Sequence, residues 1–242
     1  MSRDSASEAA PGLILPPELL GPVVRYRAMA FYAPAVVDCS LHFDKRRKSF
    51  HRFTIADTRG PLAVTIPIAK PESHSTATYA DILISDHSPW WLTMMTALES
   101  AYGRTPFFEF YADDFAPLIG PHRVGTPMAS LCRDLDLLVC GLLAIPAPAW
   151  TAQPPLYSSS RRTTEAFFDS APGFSEGSPS TEAGPPPLDL RRAPDTALAP
   201  YALTAPYWQV RDATLGFIPG LSVLDLLFNL GPEAQLLIHA PL

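Results

Sequence analysis

The sequence lacks the hydrophobic runs that mark membrane and secreted proteins. No apolar stretch reaches the roughly 18 residues that a membrane span needs. The longest one, at 221–230, is interrupted by Asp225 and Asn229. The first eight residues include Asp4 and Glu8 and do not form the basic region of a secretory signal peptide. We therefore expect no membrane span and a cytoplasmic location.

Cysteine and histidine are too few and too scattered to indicate a metal site. Cys39, Cys132 and Cys140 lack the spacing of metal ligands and are predicted to be free, buried thiols. The six histidines form neither an HExxH motif nor a cluster with cysteine. The motifs GxGxxG and GxxxxGK[ST] are also absent. The sequence thus predicts no metal and no cofactor.

Basic residues are outnumbered by acidic ones, 18 to 24, which gives a formal net charge of −6. An acidic surface does not attract the phosphate backbone of a nucleic acid, so a nucleic-acid partner is not expected. The hydrophobic content of 47% over 242 residues is typical of one globular domain with a substantial core. None of these quantities indicates an oligomeric state.

Proline, by contrast, is abundant, and its 28 residues help to delimit segments of the chain. Residues 1–21 are rich in Ala, Pro and Gly and are predicted to be a flexible leader. Residues 22–242 are assigned to one domain. Within it, residues 157–195 carry clusters of Pro and Ser with little to bury, which predicts a mobile insertion.

The hydrophobic periodicity predicts an α/β fold, a mainly parallel or mixed sheet with packed helices. Alternating patterns predict strands at 23–30, 52–57, 62–68 and 80–85, the middle two joined as a hairpin through a turn at 58–61. Helical spacing and capping residues predict a short helix at 36–43 and longer ones near 90–102, 107–118, 127–142 and 223–230. Pro232 is expected to open a further turn through Ile238.

A basic run at 45–48, followed by His51 and Arg52, is the strongest local charge feature. If it lies at the mouth of the sheet, Arg47, Lys48 and Arg52 would bind a phosphate or a carboxylate, because arginine forms bidentate hydrogen bonds with such groups. The alternative is a solvated turn whose charges prevent sheet edges from pairing.

Three other polar residues are candidates for chemistry. Glu99 is a candidate general base near the end of the second helix, because it lies one turn from Met95; the alternative is a solvated helix face. Asp225 and Asn229 share one face of an otherwise apolar helix. Asp225 would either handle a proton or cap its own first turn, and Asn229 would either orient a substrate or bond the chain near Gly231.

Several stretches resemble the WbqC-like family. The longest is the C-terminal block 215–234, which reads LGFIPGLSVLDLLFNLGPEA. The supporting stretches are 32–34 (YAP), 60–67 (GPLAVTIP) and 97–111, which contains ESAYG and PFF. At Phe50-His51-Arg52 the sequence departs from the Arg-Asn-Arg group that is usual in the family, which puts conserved ligand binding there in question.

The resemblance implies a bacterial protein associated with the biosynthesis of O-antigen or another surface polysaccharide. We accordingly expect a phosphorylated sugar or a sugar nucleotide as ligand, and a transferase as the enzyme class. The alternative from a different class is a non-catalytic assembly or binding protein. Convergence of Arg47, Arg52, Glu99 and Asp225 on one pocket would favour the enzyme, and dispersal would favour the binding protein.

Overall fold

The central sheet has four parallel strands in the order β5-β2-β1-β6. The computed structural model describes residues 12–73, 75–155, 187–192, 195–203 and 205–241. The four strands are β1 (Leu13–Leu15), β2 (Ala35–Asp38), β5 (Ala149–Thr151) and β6 (Leu188–Asp189). A separate antiparallel hairpin is formed by β3 (Arg52–Asp57) and β4 (Gly60–Thr65). The predicted α/β class is therefore confirmed.

The helices pack around the sheet and the hairpin. They are α1 (Val23–Phe31), α2 (Trp90–Tyr102), α3 (Phe108–Phe115), α4 (Met128–Leu142), α5 (Asp212–Leu215), α6 (Val223–Leu230) and α7 (Ala234–Ile238). Short 3-10 turns occur at Lys48–Phe50, Tyr79–Asp81, Ala116–Leu118, Pro121–Arg123, Asp195–Tyr201 and Gly231–Glu233.

The elements with a strong local pattern form as predicted. In α2 the buried positions Trp90, Met94, Leu98 and Ala101 recur at helical spacing, and the helix ends at Gly103. The hairpin forms with a tighter turn than expected, because Gly60 adopts a positive φ of 121° and already belongs to β4. The predicted helix after Pro232 is also present, as α7.

The predicted strand at 23–30 is wrong, because these residues form α1. The alternation of apolar and basic residues imitates a half-buried strand. Arg25 and Arg27 are nevertheless each only 1% exposed, so both faces of the segment are buried. Arg27 donates to the carbonyls of Leu237 and Ala240 at 3.1 Å, and Arg25 is held by acids described below.

The predicted helix at 36–43 is also wrong, because this region begins with β2. Residues 12–21 were assigned to the flexible leader, but β1 is an inner strand of the sheet whose side chains are at most 1% exposed. Short, fully buried parallel strands show no alternation, so they resemble any other apolar run. The rest of the predicted leader, 1–11, lies outside the described residues.

The predicted insertion 157–195 falls largely outside the described residues. Its described part, 187–192, contains β6, which pairs with β1. The predicted strand at 80–85 is replaced by a 3-10 turn at Tyr79–Asp81 and isolated bridges at Leu83 and Ile84. One 3-10 turn and two bridged residues therefore occupy the place of the predicted strand.

The strand order reverses at β1. From β1 the chain passes through α1 to the neighbouring β2, whereas β6 pairs on the opposite side of β1. Ligands of open parallel sheets usually bind beyond the carboxyl ends of the strands at such a reversal. The carboxyl ends of β1 and β6 are therefore the first place to look for a site.

Candidate functional site

A cavity of about 400 Å³ lies at the carboxyl ends of β1 and β6. Leu15, Pro16 and Glu18 line it from the end of β1, and Leu190 lines it from the end of β6. The start of the hairpin and the loop before α6 complete the wall. We call it the switch-point cavity. Its volume is in the range of small-molecule sites, roughly 300–1,000 Å³.

The charged residues that line the switch-point cavity are mostly basic. Arg25, Arg47 and Arg52 face a single acid, Glu18. The first turn of α1 also borders the cavity through Pro22 and Val24, and no side chain caps that helix start. The positive end of a helix dipole adds to the attraction for an anion. This local field contrasts with the net charge of −6.

Arg25 forms the floor of the cavity within a buried ionic cluster. Its Nη1 donates to the carbonyl of Pro16 at 3.1 Å and lies 3.6 Å from Glu18 Oε2, while its Nη2 lies 3.6 Å from Asp136 Oδ2. Distances of 3.6 Å are those of an ion pair rather than a hydrogen bond. Tyr26 donates its hydroxyl proton to Asp136 Oδ1 at 2.6 Å. We call these residues, Glu18, Arg25, Tyr26 and Asp136, the Arg25 cluster.

The Arg25 cluster is not fully satisfied internally. Nε and Nη2 of Arg25 and Oδ2 of Asp136 are buried without a hydrogen-bond partner. Burial lowers the pKa of Arg25, but the facing carboxyls of Asp136 and Glu18 outweigh it and the net shift is upward. Burial raises the pKa of Asp136, and Arg25 opposes that shift. Buried donors without acceptors beside a cavity are the donors that a bound anion would satisfy.

The three residues predicted to bind a substrate phosphate are only partly brought together. Arg47 and Arg52 both line the switch-point cavity, and Arg52 Nε is oriented by a 2.8 Å hydrogen bond to Thr65 Oγ1. Lys48 is exposed and does not line the cavity, because the 3-10 turn at Lys48–Phe50 directs it outwards.

Glu99 lies in a different place. It is exposed and borders a second polar cavity of about 370 Å³ with Arg104 and Arg211. Glu99 is on the solvated face of α2, because its neighbour Leu98 takes the inward position, at 1% exposure. Glu99 therefore does not share a cavity with Arg47 and Arg52.

Asp225 is at the centre of a second buried polar cluster. Its Oδ2 accepts hydrogen bonds from the Tyr207 hydroxyl at 2.7 Å and from Gln209 Nε2 at 2.9 Å. Gln209 also forms two hydrogen bonds with the backbone of Ile218: it donates to the carbonyl at 3.0 Å and accepts from the amide at 2.8 Å. Burial raises the pKa of Asp225, and the bond from Tyr207 opposes that shift.

Asn229 completes this cluster by joining two backbone segments. Its Nδ2 donates to the carbonyl of Asp225 at 2.7 Å, and its Oδ1 accepts from the amide of Val210 at 2.9 Å. We call Tyr207, Gln209, Asp225 and Asn229 the Asp225 cluster. Asp225 does not cap its own helix; Ser222 does, through its hydroxyl and the amide of Leu224 at 3.3 Å. Neither Asp225 nor Asn229 lines the switch-point cavity or the cavity beside Glu99.

A family comparison agrees with the sequence resemblance. The profile of the WbqC-like protein family matches residues 35–170, more than half of the chain. The chain belongs to the WbqC-like protein family. No curated protein and no solved structure matches it.

The family match covers only one side of the switch-point cavity. Arg47 and Arg52 fall within the matched span, whereas Glu18, Arg25 and the C-terminal block 215–234 fall outside it. Glu18 and Arg25 were not predicted as site residues, because Glu18 falls in the predicted leader and Arg25 in the predicted strand at 23–30. The available signal was the apolar run 13–15 between Gly12 and Pro16, a pattern that is consistent with a short buried strand.

The cysteines of this WbqC-like chain are not candidate nucleophiles. All three are buried and free, as predicted. Burial raises the pKa of both Cys39 and Cys140 to about 12, which leaves the thiols protonated at neutral pH. Within the described part of the chain, no group of three His, Cys, Asp or Glu residues could hold a metal ion. None of the helices in that part has the length and apolar character to cross a bilayer.

Proposed function

We propose that the switch-point cavity binds a phosphate-bearing ligand, and that the protein is a transferase acting on a phosphorylated sugar or sugar nucleotide in bacterial surface-polysaccharide biosynthesis. The observation that carries the proposal is the set of three arginines, with one acid, around a cavity at the carboxyl ends of β1 and β6. The polysaccharide context is what the family resemblance implies.

The arginines suit a phosphate because they approach from different elements. Arg47 directly precedes the 3-10 turn at Lys48–Phe50, Arg52 begins β3, and Arg25 belongs to α1, so three separate elements each bring a positive charge to the cavity. Guanidinium groups form bidentate, charge-assisted hydrogen bonds with phosphate oxygens. Arg25 adds a third positive charge at the cavity, and its two Nη groups face Glu18 and Asp136.

Glu18 is the residue best placed to move a proton in this cavity. Its side chain is 17% exposed and lines the cavity, whereas Glu99 and Asp225 do not. In a transfer reaction, Glu18 would accept the proton of the acceptor's hydroxyl group while the oxygen of that hydroxyl attacks the sugar carbon. The bond from that carbon to the phosphate oxygen breaks, and the phosphate leaves with the electron pair. Arg47 and Arg52 would stabilise its negative charge.

The second candidate function is a non-catalytic binding protein. The observation that favours it is the dispersal of the predicted catalytic residues, since Glu99 borders another cavity and Asp225 is fully buried. Both functions require the arginines to bind the ligand. Only the transferase requires Glu18 as a base.

A thermal-shift experiment tests the binding site. The full chain is heated with inorganic phosphate, sugar 1-phosphates and nucleotide sugars, in the wild type, Arg52→Ala and Arg59→Ala. A ligand at about 100 times its dissociation constant stabilises the native state by about 2.7 kcal/mol. We expect Arg52→Ala to lose most of this shift. Arg59 is an exposed arginine in the hairpin turn outside the cavity, so Arg59→Ala should keep it.

An unchanged shift in Arg52→Ala would remove Arg52 from the site, and no shift with any phosphate compound would refute the proposed cavity. Glu18→Gln then separates the two functions. For a transferase, this variant keeps the ligand-induced shift but loses turnover of the ligand that binds. If the wild type binds a ligand and turns over none with a panel of hydroxyl acceptors, the binding protein is supported.

A further inference from the structure

Another cavity, distinct from the one beside Glu99, lies next to the switch-point cavity and is almost entirely apolar. It has a volume of about 210 Å³ and is lined by residues that include Val23, Leu203, Phe217, Pro219 and Leu221. These come from the start of α1, the segments 202–203 and 205–207, and the loop before α6. We call it the apolar cavity.

The two cavities share part of their walls. Pro22, Val24 and Gly220 line both of them. Val24 directly precedes Arg25 on α1, so the apolar cavity begins beside the cationic floor of the switch-point cavity. A ligand whose phosphate is held by the arginines would therefore meet the apolar cavity with its next few atoms.

The apolar cavity offers few polar partners. Its only lining residue with a polar side chain is Tyr207, among those the structure describes, and that hydroxyl is engaged by Asp225 at 2.7 Å. A nucleobase has several donors and acceptors on its edge, and burying them without partners is costly. A hydrocarbon group has none, and its transfer from water to such a surface is favourable.

We propose that the ligand is an amphiphilic phosphate, in which an alkyl or isoprenyl group next to the phosphate occupies the apolar cavity. This inference rests on the proposed function, because it takes the phosphate to be bound by Arg25, Arg47 and Arg52. An apolar protein cavity of about 150 Å³ holds a benzene ring. By that ratio a cavity of 210 Å³ holds about eight carbons, so a longer chain would extend into solvent or a membrane.

A series of straight-chain alkyl phosphates tests this inference by calorimetry, each below its micellar concentration. Affinity should rise about threefold to fourfold for each added methylene and level off near eight carbons. Methyl phosphate and inorganic phosphate report the arginine site alone. Uridine monophosphate reports whether a nucleobase takes the same place.

A pair of variants locates the chain. Ala202 is exposed and lines only the apolar cavity, so Ala202→Trp should fill that cavity and leave the phosphate site intact. We expect this variant to bind methyl phosphate normally and to lose the gain with chain length. Ala213 is exposed and lines neither cavity, so Ala213→Trp is the matched control and should keep the gain.

The outcomes separate this inference from the proposed function. If methyl phosphate binds but longer chains bind no tighter, the apolar cavity is not part of the site and the phosphate site stands. A gain with uridine monophosphate and none with alkyl phosphates would overturn the inference in favour of a nucleotide. A chain-length gain that persists in Ala202→Trp would place the chain elsewhere. No binding of any phosphate compound would refute the proposed function itself.

Discussion

The Arg25 cluster and the Asp225 cluster are built alike but differ in their surroundings. Each has a fully buried aspartate on a helix that accepts a hydrogen bond from a tyrosine hydroxyl, at 2.6 Å for Asp136 and 2.7 Å for Asp225. The Arg25 cluster borders a cavity and keeps unpartnered N–H groups there. The Asp225 cluster reaches the apolar cavity through Tyr207, while Gln209 and Asn229 bond the backbone of Ile218 and Val210. It also has one buried atom without a hydrogen-bond partner, Asp225 Oδ1.

The difference shows how to separate a site from a structural network. A buried polar side chain in an otherwise apolar environment can hold neighbouring chain segments together, or it can bind a ligand. Asp225 and Asn229 do the first, since Asp225 accepts hydrogen bonds from Tyr207 and Gln209, and Asn229 accepts one from the amide of Val210. Arg25 is placed for the second, because it combines burial with donors beside an open volume.

The largest expected effect is that of Arg25→Met. Removal of the guanidinium leaves Asp136 buried without its counter-charge, which typically costs about 3–5 kcal/mol. Urea unfolding at neutral pH measures the change. The double variant Arg25→Met/Asp136→Leu removes both charges and should recover much of the loss. A double variant no more stable than the single one would show that the ion pair is not what stabilises this region.

Asp225→Ala should be the next most harmful change. It leaves the Tyr207 hydroxyl and the Gln209 amide without their acceptor, at a cost of about 1–3 kcal/mol for each buried group. Asp225→Asn keeps one oxygen for these donors and should be much closer to the wild type in urea unfolding. If Asp225→Asn folds normally but no longer binds a ligand that the wild type binds, Asp225 belongs to the site after all.

Gly21→Ala should disturb the cavity at a moderate cost. A Cβ at this position would lie 2.6 Å from Arg25 Cδ and 3.0 Å from Glu18 Oε2, so both side chains must move. Overpacking of this kind costs about 1–3 kcal/mol, and the phosphate-induced thermal shift should fall as well. Gly141→Ala in α4 is the matched control: it meets nothing within 4 Å and should raise stability by up to about 1 kcal/mol. Equal effects of the two changes would contradict this packing.

The smallest expected effect is a pH dependence at Asp225. Because burial raises its pKa, the native state holds this proton more tightly than the unfolded state does. The resulting stabilisation is present below the unfolded pKa of about 3.9 and is lost as the pH rises through the native pKa. The unfolding free energy of Asp225→Asn relative to wild type should therefore increase from about pH 4 towards neutrality. A decrease over that interval would mean that the pKa is lowered.

Elements whose sequence signals lie within the element itself form as predicted, whereas elements that depend on distant partners do not. The hairpin 52–65 and the helices α2, α4 and α6 depend on turn residues, caps and spacing within one element, and they form as predicted. At 23–30 the alternation of charge was misleading. The partners that make a helix of buried arginines possible lie far away, at Asp136 and at 237–240.

The sequence by itself was enough to predict the α/β class, the family, and Arg47 and Arg52 as residues that line the cavity. These predictions depend on composition, motifs and a run of charged residues, all of which can be read without coordinates. Only the tertiary structure decided which residues face those arginines. The chain after β1 is bonded to the segment between those arginines, from the amide of Leu19 to the carbonyl of Ser49 at 2.9 Å, and this places Glu18 and Arg25 beside them. Glu99 and Asp225 lie elsewhere. The physical reason is that strand pairing and ion pairs join residues about 100 or more positions apart, such as Arg25 with Asp136 and Leu13 with Leu188. Such pairing has no signature in any short window of sequence.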